Sequence, residues 1–163
     1  MLALKTSLEQ LQEKLQLLIK QYGVLDKENQ QLKAAVTKQE NKNKELLEQL
    51  NASLHSMANS GGFELITLQN NVEGELINSL QEHGFSAHGI VFNPGGYTHT
   101  SVAIRDAVLA IDSPVIEVHL TNPDAREEFR KPSLLREACL GSIGGLGTES
   151  YVAALRFFME HGR

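Results

Sequence analysis

The fold is decided by residues 89–122, which read GIVFNPGGYTHTSVAIRDAVLAIDSPVIEVHLTN. Two short, continuous apolar runs at 89–93 and 114–120 are typical of strands buried in a parallel sheet. Between them, residues 101–111 carry apolar side chains at helical spacing, and Ser101 or Thr100 can cap the start of that helix. Strand, helix and strand in this order predict a parallel pair joined by a right-handed crossover.

The flanking sequence extends the same alternation in both directions. FELITLQ at 63–69 is apolar and β-prone and predicts a strand, and EGELINSLQEH at 73–83 predicts a helix. Downstream, residues 121–137 predict a loop with a helical turn, and CLGSIGGLG at 139–147 predicts a strand and turn in which Cys139 is a buried small hydrophobe. A final amphipathic helix is predicted at 148–161, so the fold class is α/β.

Polar side chains follow two of the predicted strands at their carboxyl ends. Asn93 and His99 lie in and after a glycine-rich turn, His119 closes the next strand, and Arg126 and Arg130 come in the loop beyond it. Ligands of parallel sheets bind at this edge, and arginine suits a carboxylate. These residues predict a site for a small anionic polar molecule, although one histidine at a strand end is more often structural than catalytic. No GxxxxGK[ST] motif is present, which argues against a nucleoside triphosphate.

Composition restricts the class of protein. The 163 residues carry a formal net charge of −5, which argues against a nucleic-acid binder that relies on bulk electrostatics. No apolar run is long enough to span a bilayer, and the N-terminus does not resemble a secretory signal peptide. Because the chain has a single cysteine, we expect no internal disulfide and a reducing, cytoplasmic setting.

Residues 1–59 have a different character from residues 60–163, which predicts two domains. Leucines recur at alternating spacings of four and three, and they dominate heptad position d, while position a includes Asn29 and Asn43. A seven-residue repeat of this length predicts a coiled coil, and asparagine at position a favours a parallel dimer in register. The alternative is a long amphipathic helix that packs on its own globular domain. The first leucines in the row are Leu4, Leu8, Leu11, Leu15 and Leu18.

Four motifs in order resemble type II 3-dehydroquinate dehydratase: EGELI at 73–77, FNPGGYTHTSVAIRDA at 92–107, VIEVHLTN at 115–122 and AREEFR at 125–130. The similarity runs from about residue 63 to residue 163. It implies a flavodoxin-like parallel sheet and assembly as trimers that usually form dodecamers. It also implies dehydration of 3-dehydroquinate to 3-dehydroshikimate, in the shikimate pathway or in quinate breakdown, without a metal or an organic cofactor.

The resemblance implies a role for each matching residue. His119 would be the general acid that protonates the departing hydroxyl, which suits a side chain that titrates near neutral pH. The backbone amides of Leu120 and Thr121 would bind the substrate carboxylate. Asn93 and His99 would bind ring hydroxyls. Arg130 would bind a substrate hydroxyl, and Asp106 would reach the site of a neighbouring subunit; without that role, Asp106 would be a solvated helix charge.

Two features of the family have no match in this sequence: its first strand, and the lid that carries an arginine and the tyrosine that removes the C2 proton. We therefore expect an incomplete sheet, in which strand 63–69 either pairs directly with 89–93 or leaves its backbone groups open. We also expect turnover to fall by orders of magnitude. A second reading is a coiled-coil scaffold or oligomerisation protein that carries a non-catalytic domain of this family.

Overall fold

The computed structural model describes residues 2–161, with side chains from residue 8 onward. The described chain divides into two compact units, one ending at Gln49 and the other beginning at Leu50. The predicted domain boundary between residues 59 and 60 is based on the change in sequence character there, and it stays a prediction.

A single helix, α1, runs from Leu2 to Ser60, as the heptad pattern predicts. Leu4 lies outside the residues whose side chains are described, whereas every side chain from Leu8 to Gln49 is exposed. Leu11 and Leu32 are 68% and 67% exposed. The helix is confirmed, and its pairing as a coiled coil stays a prediction. The part of α1 within the second unit is packed, because Leu54 and Ala58 are buried there.

The second unit contains a three-stranded parallel sheet in the order β1 (Ile90–Phe92), β2 (Val115–His119) and β3 (Gly141–Gly144). Ile90 of β1 is in register with Val115 of β2, and His119 at the end of β2 is in register with Gly144 of β3. The predicted α/β class and parallel sheet are confirmed.

Helices cover both faces of this sheet. On one face, the helices α2 (Glu73–His83) and α3 (Val102–Ala110) form an apolar cluster with Val115. On the other face, α4 (Glu149–His161) packs on Ile116 and Val118. Because successive strand residues point to opposite faces, Glu117 and His119 share the face of Val115. The central strand is therefore buried on both sides.

The remaining elements are short. Ser101 caps α3, since its hydroxyl accepts a hydrogen bond of 2.9 Å from the backbone N–H of Ile104. The loop after β2 contains several helical turns rather than one, and Cys139 is half-buried just before β3. The 3₁₀ turns of the described residues are Gly95–His99, Pro123–Ala125, Glu128–Arg130 and Arg136–Ala138.

Among residues 2–161, none of the helices has the length and apolar character that a membrane span requires.

The strand predicted at 63–69 does not form, and that prediction is wrong. These residues are irregular, and Ile66 and Leu68 are 58% and 61% exposed. The apolar composition fits a strand, but a strand exists only as a member of a hydrogen-bonded pair. In a flavodoxin-like sheet, this segment pairs with the N-terminal strand of the fold, which is not the strand labelled β1 here. This sequence has no match for that N-terminal strand. Of the two predicted outcomes, the structure shows the one with open backbone groups.

Candidate active site

The carboxyl end of β2 holds a buried pair of ionisable side chains. Nε2 of His119 lies 2.9 Å from Oε1 of Glu117, and the two residues are 2% and 0% exposed. They are two positions apart on a strand, so their side chains lie on the same face. Burying a carboxylate costs folding free energy unless neighbouring polar groups interact with its charge, and the imidazole of His119 is one of these groups.

Two hydroxyl groups complete the surroundings of Glu117. Thr98 donates a hydrogen bond to Oε1, and the hydroxyl of Ser133 lies 3.1 and 3.2 Å from the two carboxylate oxygens. Burial by itself raises the pKa of Glu117, but the hydrogen bonds from His119, Thr98 and Ser133 and the charge of His119 together lower it below its ordinary 4.5. Glu117 is therefore ionised at neutral pH. It accepts a hydrogen bond from the Nε2–H of His119 and so fixes the orientation of the ring, while Nδ1 has no hydrogen-bond partner among the described residues.

His99 is fixed in a similar way. Its Nδ1 lies 2.6 Å from the carbonyl oxygen of Pro132, which can only accept, so Nδ1 carries the proton. Nε2 is buried and has no partner among the described groups. A buried polar atom of this kind requires an explanation, and a ligand hydroxyl is one.

Asn93, directly after β1, connects this strand to α4. Its Nδ2 donates to the hydroxyl oxygen of Tyr151 at 2.7 Å, and its Oδ1 accepts from the N–H of Gly95 at 3.1 Å. Burial raises the pKa of Tyr151, an effect that the hydrogen bond from Asn93 partly offsets. The tyrosine is therefore a neutral phenol at physiological pH.

The loop after β2 presents backbone donors. The carbonyls of His119 and Leu120 accept hydrogen bonds from Gly145 at 3.3 Å and Gly147 at 2.9 Å. Both glycines have positive φ, 90° and 61°, which favours glycine at these positions. By contrast, the N–H groups of Leu120 and Thr121 donate no hydrogen bond to any group within residues 2–161. Adjacent unpaired amides are suited to bind an anion.

The two arginines of the following loop differ in their contacts. Nε and Nη2 of Arg126 donate to the hydroxyl of Thr121 at 3.2 and 2.7 Å, so this side chain lies against the end of β2. Arg130 is half exposed, with Nε 3.7 Å from Glu127 and the guanidinium 5.3 Å from the centre of the Phe129 ring. Arg126 therefore contacts the end of β2, whereas the contacts of Arg130 are with neighbours in its own turn.

Asp106 lies apart from these groups. It is exposed on α3 and forms no ion pair with a described residue, Arg105 included. Within one chain it has no contact that would assign it to the site.

The site therefore brings His119, His99, Asn93 and the free amides to the carboxyl edge of the sheet. The family model described as "Dehydroquinase class II" matches residues 24–159. This chain belongs to the type II dehydroquinase family. A 3-dehydroquinate dehydratase of Wolinella succinogenes is 45% identical over 109 residues, which cover 67% of this chain and 66% of the relative. The dehydratase of Campylobacter hominis is 44% identical over 114 residues, covering 70% and 74%.

Solved structures agree with this family. The type II dehydroquinase of Butyrivibrio crossotus has a TM-score of 0.66 and 40% identity, covering 68% of this chain and 78% of that chain. The type II dehydroquinase of Propionibacterium acnes has a TM-score of 0.65 at 31% identity. The family and its curated relatives carry the name of 3-dehydroquinate dehydratase, a hydro-lyase. This chain spans about two thirds to three quarters of the length of the first relatives, and the family match begins inside α1, upstream of the quoted motifs.

Four residues of this candidate site were missed by the sequence reasoning. Glu117 could have been predicted from the sequence. It is a charged residue in the apolar strand VIEVH, two positions before His119, and alternation along the strand places both on one face. Thr98, Ser133 and Tyr151 had none, since an isolated hydroxyl in a loop or helix does not show which distant side chain it contacts. They lie 19, 16 and 58 positions from their partners.

Proposed function

We propose that the α/β unit binds 3-dehydroquinate and that His119 acts as the general acid in its dehydration to 3-dehydroshikimate. The observation that supports this most is the buried contact between His119 and Glu117. The carboxylate of Glu117 accepts a hydrogen bond from Nε2 and holds the ring in place for proton transfer. The imidazolium can then deliver a proton from Nδ1 to the departing C1 hydroxyl, which leaves as water.

Substrate binding would use the groups that have no partner in the protein. The free amides of Leu120 and Thr121 would bind the substrate carboxylate, since adjacent N–H groups stabilise a bound anion. The unpaired Nε2 of His99 would accept from a ring hydroxyl, and Asn93 would bind another. The reaction, as we propose it, requires no metal or cofactor.

Two further residues would complete the pocket only with movement or assembly. Arg130 would have to leave its contacts with Glu127 and Phe129 to bind a substrate hydroxyl. Asp106, which is exposed, would contact the site of a neighbouring subunit in a trimer or a dodecamer of trimers. The solitary cysteine is consistent with action in the cytoplasm.

Removal of the C2 proton also needs a base, and the family's tyrosine and arginine lid has no match in this sequence. We therefore propose binding with weak turnover, slower by orders of magnitude than a complete family member. The acid and the binding groups would still bring 3-dehydroquinate to the end of β2. Binding and turnover are for this reason to be measured separately.

The test is calorimetric titration with 3-dehydroquinate beside an absorbance assay for the conjugated enone product. His119→Ala is expected to abolish any turnover while leaving helix content unchanged. The exposed histidine of α4, His161→Ala, is the matched control and is expected to behave as wild type. If turnover survives His119→Ala, our assignment of the acid is wrong. A folded protein that binds no 3-dehydroquinate at millimolar concentration would refute the proposed substrate.

A second function, as a coiled-coil scaffold, is favoured by the exposed leucine row of α1. Leu18, Leu25 and Leu32 are 61%, 62% and 67% exposed, and such a row is normally covered by a partner helix. We propose that a second copy covers it in a parallel dimer, with Asn29 of the two chains paired. Light scattering distinguishes the readings, because a dimer supports the scaffold and a trimer or dodecamer supports an intact enzyme core. A deletion for this test should end at Gln49, since Leu54 and Ala58 are buried in the second unit.

A further inference from the structure

One edge of the sheet is open. The N–H of Ile90 donates to the carbonyl of Pro114 at 2.9 Å, so the backbone of Ile90 points toward β2. Backbone groups of successive strand residues point in opposite directions, and the N–H and C=O of Val91 therefore point away from β2. No other strand pairs with β1 on that side within residues 2–161.

Residues 63–71 form a largely apolar segment whose two ends contact residues just before and just after β1, so the segment has the same direction as that strand. At its start, the N–H of Phe63 donates to Ala58 at 2.9 Å, and the Phe63 ring makes an edge contact with His88, just before β1. At its end, the carbonyl of Asn71 accepts from the hydroxyl of Tyr97, beyond β1, at 2.9 Å.

Between these two anchors the backbone of the segment is unpaired. No N–H of residues 64–71 donates to any group that the structure describes, and Ile66 and Leu68 are mostly exposed. The segment is thus anchored near both ends of β1, and within residues 2–161 no hydrogen bond joins its backbone to that strand. Such groups are normally hydrogen-bonded in a finished sheet.

We infer that the space between β1 and residues 64–70 binds one extended strand of a second polypeptide, parallel to β1 and apolar on both faces. Pairing with an exposed edge is an established mode of peptide recognition, in which backbone hydrogen bonds provide affinity and side-chain faces provide selectivity. Here both faces are apolar, because Ile90 and Phe92 belong to the cluster under α2 and α3, whereas Val91 belongs to the cluster under α4. The carboxyl end of the bound strand would emerge beside Asn93 and Tyr97, at the edge that carries the candidate site.

A second copy of this chain is the less suitable occupant. Its β-prone segment at 63–69 is tied by the Phe63 and Asn71 contacts, so it cannot be donated without breaking them. The inference concerns the sheet edge alone, and it holds whether or not the chain turns over 3-dehydroquinate.

The experiment measures binding of a fluorescein-labelled peptide, Lys-Val-Ile-Val-Ile-Val-Lys, to the full chain by anisotropy, with hydrogen exchange as a second readout. Saturable binding that slows exchange at residues 64–71 and at the amide of Val91 is expected. Val91→Pro removes the outward N–H without removing a bond to β2, and it should weaken binding at least about fivefold, the effect of one lost hydrogen bond. Val91→Ile keeps that N–H and is the matched control.

A peptide with N-methyl groups at alternate residues keeps the side chains but cannot pair along one edge, and it tests the same point without altering the protein. It is expected to bind at least about tenfold more weakly, since several hydrogen bonds are lost together. Equal binding of both peptides, or no effect of Val91→Pro in a folded variant, would overturn the inference. So would protection of the Val91 amide that rises with protein concentration in the absence of peptide, because a second copy would then be the occupant.

Discussion

Replacing Glu117 by glutamine tests the buried network directly, with no assumption about the substrate. The variant keeps the shape of the side chain but removes the charge, and an amide group then faces Thr98 or Ser133, which already donate at this position. Removing one partner of a buried ion pair costs about 3–5 kcal/mol. Since glutamine retains one acceptor oxygen, we expect the lower end, about 3 kcal/mol. For a unit of this size that lowers the unfolding midpoint by about 12 °C, at roughly 4 °C per kcal/mol.

Acid pH provides an independent check with a defined sign. Folding lowers the pKa of Glu117, so the unfolded chain binds this proton more readily than the folded chain. The stabilisation from Glu117 is therefore complete above its ordinary value of 4.5 and is lost as pH falls through the lower folded pKa. The gap between wild type and Glu117→Gln should stay constant from neutral pH to about pH 5.5 and shrink below pH 4.5.

The assay is urea unfolding followed by tyrosine fluorescence, at neutral and at acid pH. Glu128→Gln is the matched control, because Glu128 pairs with Lys131 at the surface with its own side chain 89% exposed. A change within about 0.5 kcal/mol is expected for it. The reasoning is refuted if Glu117→Gln is as stable as this control, or if its deficit does not depend on pH below 4.5.

Three further predictions concern other parts of the chain. Asn29→Ile should raise the thermal midpoint of the helical signal while broadening the stoichiometry seen by light scattering, and no gain in stability would contradict the assignment of Asn29 to position a. Burial, together with the nearby negative charge of Glu117, raises the pKa of Cys139 to about 11, so its thiol should react slowly with iodoacetamide at pH 8 and rapidly once urea unfolds the chain; equal rates would contradict this. Tyr151→Phe removes the acceptor of the Asn93 amide and should weaken 3-dehydroquinate binding several-fold with little loss of stability, whereas unchanged binding would show that Asn93 needs no such support.

The parts of the fold that sequence predicts well are those with a local cause. Helix α3 follows from the spacing of Ile104, Ala107 and Val108, which are all buried, and from the cap at Ser101. Strand β2 follows from its continuous apolar run. Residues 63–69 have an equally strong local pattern and still form no strand, because pairing depends on a neighbour that the pattern cannot reveal.

The site shows the same division between local and distant causes. Sequence places His119 and Asn93 at strand ends, and parallel topology then brings those ends together. The partners that fix the side chains come from elsewhere: Ser133 from the long loop and Tyr151 from α4. Only Glu117 could be inferred, since alternation along the strand places it beside His119.

The two proton transfers of the proposed reaction would use different parts of the molecule. The proposed proton donor, His119, and the residues that hold it belong to strands and loops that are complete within the described unit: β2, the turn after β1 and the loop that carries Ser133. Glu117, His119 and Thr98 are buried, Ser133 is half-buried, and hydrogen bonds connect all four, so their geometry does not depend on what lies beyond the open edge. Proton removal would require a group delivered to the carboxyl end of β1, where a strand added at that edge would emerge. The proposed acid function and the base function are thus separable in this architecture, and an experiment that supplies the base without altering the acid can distinguish a weak enzyme from a binding domain.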